Sequence, residues 1–417
     1  MSRFRTEYFL AGRLASSGGG RRNGVMTRIA MLSVALGMAV MIVALAVIAG
    51  FKGEITAKLV GFGAHVQVVH LDGNNSYETS PIRLDQPFLA GLPAIPDFKE
   101  VHPYAIKGGI IRTDEAMQGV VLKGVDAGYD WDFFREHLAE GDLPRIGDTV
   151  RHKDLLISAS LARGLRLGTG DRVEMLFIRE GAMPRRDLFK VSGIYDTGFD
   201  ELDRVAVMTD LRNVQRLNGW SPDEVSGFEI TTTRFDRLDR FADDVFGLVV
   251  DSQADDGESL MTVSVRQRYP NIFDWLGAHD VNAAVVITVM LLVALFNMIT
   301  ALLIILLERT SMIGVLKTLG MTNRAIQRIF VIRSAYIIGR GLLWGNVTGI
   351  GLALLQRYTG LLRLDPASYF LAAVPIRIDW WQLVALNAAT FALILALLTL
   401  PTLIVSRIRP GTSVRYE

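Results

Sequence analysis

The chain has 417 residues, half of them hydrophobic, and a mean hydropathy of +0.31, which points to several membrane spans plus a soluble part. It contains no cysteine, which excludes a disulfide framework, a cysteine zinc site and a thiol nucleophile. The net charge of +1 conceals a split: residues 51–280 hold 26 Lys and Arg against 38 Asp and Glu, while the remainder is basic, a pattern that argues against nucleic-acid binding and fits export of the acidic block.

Residues 1–28 form a basic segment with Arg3, Arg5, Arg13, Arg21, Arg22 and Arg28. The uncharged run Ile29–Ile48 has 20 residues, enough for ~30 Å of hydrocarbon at ~1.5 Å per residue. It exceeds the ~7–15 apolar residues of a signal peptide, so an uncleaved first span is expected over 29–50.

Residues 51–280 are expected to form an external α+β domain of two subdomains. The runs 64–71, 108–113, 117–126, 171–178, 188–195, 204–210 and 227–233 read as strands. DLLISASLARGL (154–165) reads as strand then helix, and LGTGDRV (167–173) as a turn. Leu238, Phe241, Val245 and Leu248 recur at the spacing of a packed amphipathic helix.

The second span is expected over 281–307, a run of 27 uncharged residues. A loop over 308–328 leads to a third span over 329–355, which contains Arg333 and Arg340. Arg333 lies near an end and can snorkel; Arg340 is deeper and is expected to face protein or water. Gly341, Gly345 and Gly349 place small residues on one face of that helix, suited to close packing against a neighbouring span or subunit. An external loop (356–382), a fourth span (383–405) and a tail (406–417) with Arg407, Arg409 and Arg415 complete the chain. The positive charge then lies on one side, so both termini and the 308–328 loop are assigned to the cytoplasm.

No GxxxxGK[ST], HExxH or GxSxG occurs, so no phosphate-binding loop, zinc site or nucleophile elbow is expected and no catalytic or metal-ligating residue is assigned. Within ERTSMIGVLKTLGMTNRAIQRIF (308–330), Met312, Ile313, Leu316 and Leu319 form an apolar stripe at helical spacing. Gly320 stops that helix, with Lys317 near its carbonyl end, and Thr322 or Asn323 can cap the next. The stripe alone fits either a helix lying on lipid headgroups or a surface that docks a partner.

This inner loop resembles the signature loop of the FtsX/MacB class of ABC-transporter permeases, in which one span, a large external domain and three spans follow in order. MQGVVLKGVD, LGTGDRV and FKVSGIY are similar to its MacB-like periplasmic core domain. GFKGEI (50–55) and YPNIFDW (269–275) resemble the lipoprotein-releasing permeases of the LolC/LolE type.

The resemblance implies a bacterial inner-membrane, multi-pass permease that binds no cofactor itself. ATP and Mg would sit on a separate LolD-like ABC ATPase, docked by a coupling helix with Glu308, Arg309, Met312, Ile313, Leu316, Lys317 and Leu319. It implies a second permease subunit, as homodimer or heterodimer, in contact with membrane lipids. A lipoprotein would leave the outer leaflet for a LolA-like periplasmic carrier. Val43, Val47, Ile48, Phe51, Phe273, Trp275, Val285 and Val289 are assigned to its acyl cavity. The family's carrier-capturing loop corresponds to the short stretch REGAMPRR (179–186), making Arg179, Arg185 and Arg186 the implied carrier contact. Two other readings stay open: a related permease that exports another amphiphile or regulates a cell-wall hydrolase, and an anchored receptor or scaffold without transport.

Overall fold

The computed structural model describes residues 21–71, 78–147, 151–179, 182–256, 259–308, 310–365, 369 and 371–402. They divide into two compact units, one drawn from Met1–Gly53, Trp275–Leu362 and Val374–Glu417, the other from Glu54–Asp274 and Arg363–Ala373. The principal helices are α1 (Arg21–Gly63), α2 (Ala159–Leu165), α3 (Leu211–Asn218), α4 (Leu238–Asp256), α5 (Pro270–Glu308), α6 (Thr310–Thr318), α7 (Asn323–Thr359) and α8 (Trp380–Thr402). Among the described residues, three helical stretches are long and apolar enough to cross a membrane: Arg28–Gly63, Pro270–Thr300 and Asn323–Thr359. A shorter apolar helix covers Trp380–Ala396.

In the first unit, buried Val34, Met38, Ile42, Met298, Ile338 and Ile394 join α1, α5, α7 and α8 in one apolar core. The glycine face of α7 lies on α1. A Cβ added to Gly345 would stand 2.6 Å from the Met38 Cβ, and one on Gly341 2.8 Å from the Val34 Cβ, so a side chain there would force the helices apart. Two polar contacts interrupt the apolar packing. Asn346 donates to the Asn387 Oδ1 at 2.7 Å and Asn387 donates back at 3.0 Å, tying α7 to α8. Asn297 donates to the Ser33 hydroxyl, tying α5 to α1.

The second unit is built on a ten-stranded sheet. Its strands are β1 (Val66–His70), β3 (Phe98–Arg112), β4 (Met117–Val125), β5 (Leu138–Gly141), β6 (Asp154–Ser158), β7 (Arg172–Arg179), β8 (Ala182–Tyr195), β9 (Ala206–Asp210), β11 (Gly227–Thr232) and β12 (Leu260–Ser264). β2 (Ile82–Arg83) and β10 (Glu224–Val225) pair separately. The order is β12-β1-β11-β3-β4-β9-β6-β8-β5, with β7 pairing β3 and β8, so the two expected subdomains share one sheet. Most pairs are antiparallel; β4 with β9 and β6 with β8 are parallel. β6 is buried along its whole length, which explains its unbroken apolar run Leu155–Ile157.

Helices close over the sheet through local caps. The Ser158 hydroxyl accepts from the Leu161 amide at the start of α2, and the Asp210 carboxylate from the Arg212 amide at the start of α3. Phe62, Phe134, Tyr195 and Met208 centre one buried cluster. Near it Asp203, 2% exposed, accepts from the Thr197 hydroxyl at 2.7 Å. Burial, seconded by the Asp196 charge and opposed by the Thr197 hydrogen bond, pushes its pKa up to about 6. Lys58 is also buried, 3.6 Å from Glu54, and burial lowers its pKa.

Two expectations follow. Gly345→Leu should cost roughly 1–3 kcal/mol of stability through overpacking against Met38 and Ala35, read as a lower unfolding midpoint in detergent. An unchanged midpoint would contradict the close approach of α7 and α1. Asp203, with a folded pKa above its ordinary 3.8, favours folding when protonated and loses that contribution as pH rises through about 6. Asp203→Asn cannot ionise, so its unfolding midpoint should gain on the parent's across that interval and level off above it. A difference constant with pH would overturn this assignment.

Candidate functional site

The inner hairpin is formed by the end of α5, α6 and the start of α7. α6 stops where Gly320 takes φ +87°, its amide donating to the Lys317 carbonyl while the Met321 amide donates to that of Leu316. The Thr322 hydroxyl caps α7 by accepting from the Ala325 amide. The apolar stripe expected on α6 divides into two. Ile313 is 0% exposed and lies in the first unit's own core with Ile326 and Phe330; Met312 and Leu316 pack against that core. The apolar surface turned outward is Val315, 46% exposed, and Leu319, 78% exposed, four residues apart. Lys317 is half-buried. Arg309 and the Glu308 side chain lie outside the described residues.

Residues assigned to the acyl cavity fall in different places. Phe51, 6% exposed, meets the Trp275 ring edge-on at 6.0 Å, and Trp275 lies 4.2 Å from the His279 ring. Lys52 and Asp280 form an ion pair of 2.8 Å beside them. Val43, Val47 and Ile48 are half-buried, while Val285 and Val289 are exposed. Phe273 belongs to the second unit, where it stacks on Phe235 with centroids 6.2 Å apart. A shallow depression between α1 and α8 is lined instead by Ile42, Leu45, Ala46, Arg377, Ile378 and Gln382.

On the second unit, REGAMPRR proves to be the tip of a longer two-stranded arm, with Arg179 paired to Ala182 and Arg172 to Lys190. Arg186 stands 3.5 Å from Glu174, and Arg185 donates to the Arg216 carbonyl at 3.1 Å. Arg151 adds a fourth guanidinium, its pKa lowered by burial and then by the Arg216 charge. Residues 180–181 and the Arg179 side chain lie outside the described residues.

Sequence reasoning missed Val315, His279, the Lys52–Asp280 pair and the Asn346–Asn387 pair. Only the asparagines carried a signal, as amides inside otherwise apolar runs. Arg340 is exposed, its guanidinium carbon 5.2 Å from the Tyr336 ring centroid, and does not enter the core of the unit.

Comparison with known proteins bears on this architecture. The family described as FtsX-like permease C-terminal matches residues 284–410, and the MacB-like periplasmic core domain family matches residues 27–277. The lipoprotein-releasing system transmembrane protein LolC of Xylella fastidiosa (strain Temecula1) is 24% identical over 95% of this chain and 96% of its own length. LolC of Neisseria meningitidis serogroup B is 24% identical, covering 95% and 96% of the two chains. The transmembrane protein LolE of the same system in Haemophilus influenzae is 23% identical over 97% and 98%. The periplasmic region of MacB from Actinobacillus actinomycetemcomitans, 13% identical, aligns to 52% of this chain and 97% of its own with a TM-score of 0.34. With the core-domain family matched over more than half of the residues and the permease family over most of the remainder, the chain belongs to the FtsX/MacB class of ABC-transporter permeases.

Proposed function

We propose that this chain is the permease subunit of an ATP-driven complex that extracts lipoproteins from the outer leaflet of the inner membrane and hands them to a periplasmic carrier. Full-length similarity to proteins named as lipoprotein-releasing supports the substrate class. The observation that carries the mechanical part is the exposed pair Val315 and Leu319 on a hairpin whose other described apolar side chains are buried or half-buried.

In this reading α1, α5, α7 and α8 are four spans, with both termini inside and residues 51–280 outside. Packing within the first unit supports this reading. The Gly341–Val34, Gly345–Met38 and Gly349–Ala39 contacts make α7 parallel to α1 and set Arg340 about level with Met31. That is within ~5 Å of the level of Arg28, at ~1.5 Å per residue. Arg340 therefore belongs at the inner headgroups, over Tyr336, and not deep in hydrocarbon. Exposed Tyr358, Trp380 and Trp381 mark the opposite boundary as an aromatic belt. Residues 323–339 of α7, including the start of the span expected over 329–355, then stand inside the inner boundary, nearly five turns at ~3.6 residues each. α6 is thereby carried clear of the headgroups, which favours docking on a partner over lying on the bilayer.

The partner is an ATPase subunit holding ATP and Mg, and its closure drives paired permeases through α6. Acyl chains enter from the outer leaflet beside α1 and α5, where Ile48, Val285 and Val289 offer apolar surface. Each buried CH₂ contributes ~0.8 kcal/mol to holding them. The β7–β8 arm, with Arg185 and Arg186, is the contact for the carrier.

Leu319→Asp should abolish co-purification of the ATPase and lipoprotein release, while the unfolding midpoint stays near the parent's, a change within ~0.5 kcal/mol being usual for an exposed site. Ile313→Asp should instead lower the midpoint, because its carboxylate would be buried in the core without a partner. Retention of the ATPase and of release by Leu319→Asp would sink the docking assignment.

A further inference from the structure

We infer that Lys123 and Glu229 form a charged joint that fastens the external end of α1 to the sheet and passes movement of that helix to the domain; this rests on the reading above in which ATPase closure works the permease as a lever.

The last carbonyls of a helix lack intrahelical partners and carry the negative end of its dipole. At the end of α1, within the second unit, two of them are claimed by side chains. The Phe62 carbonyl accepts from the Lys123 Nζ at 2.6 Å, and the Gly61 carbonyl from the Tyr129 hydroxyl at 3.4 Å. The same Nζ donates to the Glu229 Oε1 at 2.7 Å and Oε2 at 2.8 Å, so the ammonium meets three oxygens. Gln67 donates to the Glu229 Oε1 at 3.1 Å. The Tyr129 and Tyr104 rings lie with centroids 5.4 and 5.6 Å from the ammonium. Lys123 is 8% and Glu229 3% exposed. Three strands thus join one network that ends on that carbonyl: β4 through Lys123, which donates to it, β11 through Glu229, which holds the ammonium, and β1 through Gln67, which donates to Glu229.

Stability is a poor account of this arrangement. Desolvating two charges offsets most of their attraction, and an apolar pair of similar volume is often as stable. Apolar packing already seats the helix end, since Phe62 meets Phe133 and Phe134 edge-on at 5.6 Å each and Tyr195 at 5.9 Å. Ring contacts of this kind tolerate sliding and rotation, whereas a short charge-assisted hydrogen bond fixes one atom. What Lys123 adds is therefore register: a pull or twist on α1 reaches β4 and β11 without slack.

Because the chain lacks cysteine, spin labels can be placed singly. The full chain carries one pair of labels at exposed Ala57 on α1 and Gln118 on β4, and in a second preparation a control pair at Gln118 and Lys190 within the sheet. In Lys123→Met/Glu229→Leu, which leaves no unpaired buried charge, the Ala57–Gln118 distance distribution should broaden while the control pair stays narrow. In the complex with the ATPase, lipoprotein released per ATP hydrolysed should fall roughly 3- to 30-fold, the range expected when a coupling element is lost. An Ala57–Gln118 distribution as narrow as the parent's overturns the joint, and broadening with undiminished release overturns its role in transmission. A parental complex that releases no lipoprotein fails the lever reading instead; the two failures are told apart because the distances are read without any partner.

Discussion

Hydrocarbon offers the backbone no hydrogen-bond partner, so a chain that crosses it must satisfy its own amides, and here it does so with long helices. That constraint shapes the rest of the molecule. An unbroken helix is stiff, and α1 runs from Arg21 to Gly63 without interruption, well beyond the ~20 residues that a bilayer needs. The surplus is what makes a mechanical function intelligible.

Lipid-exposed helices gain little from hydrophobic association, because their surroundings are already apolar. The first unit accordingly relies on close backbone approach at Gly341, Gly345 and Gly349 and on a few amide and hydroxyl contacts. The second unit relies instead on a buried aromatic and aliphatic core beneath one continuous sheet. Among its polar exceptions Lys58, Asp203, Lys123 and Glu229 are buried near the end of α1, while Lys107, Asp154 and Asp210 are buried on other strands. Buried ionisable groups are expensive unless paired, so the Lys123–Glu229 pair at the helix terminus is better explained by position than by stability.

Much of this was legible in the sequence. Alternation identified β1, β4, β7 and β11, and composition identified the apolar helices. The first half of β3 was not recognised, because Phe98–Lys107 mixes Lys99, Glu100 and His102 with Pro103, a residue that argues against a central strand. REGAMPRR read as a short loop, yet β7 and β8 extend into it, with Leu176 opposite Arg186 and Phe177 opposite Arg185. The site was harder. Helical spacing found the stripe of α6 but could not say that Ile313 faces its own core while Val315 and Leu319 face away. Phe273 is two residues from Trp275, but it stacks within the second unit. Such facts depend on which surface a helix lays against its neighbours, and periodicity carries no record of that.

The central claim is that ATP consumed by a separate subunit is converted by this permease into release of a lipid-anchored protein. It is tested most directly by placing the purified chain and its ATPase in vesicles loaded with a triacylated lipoprotein and adding ATP and a soluble periplasmic carrier. The account predicts that lipoprotein appears in the soluble fraction only when ATP, the carrier and the permease are all present. Sustained ATP hydrolysis with the lipoprotein still in the vesicles would contradict it.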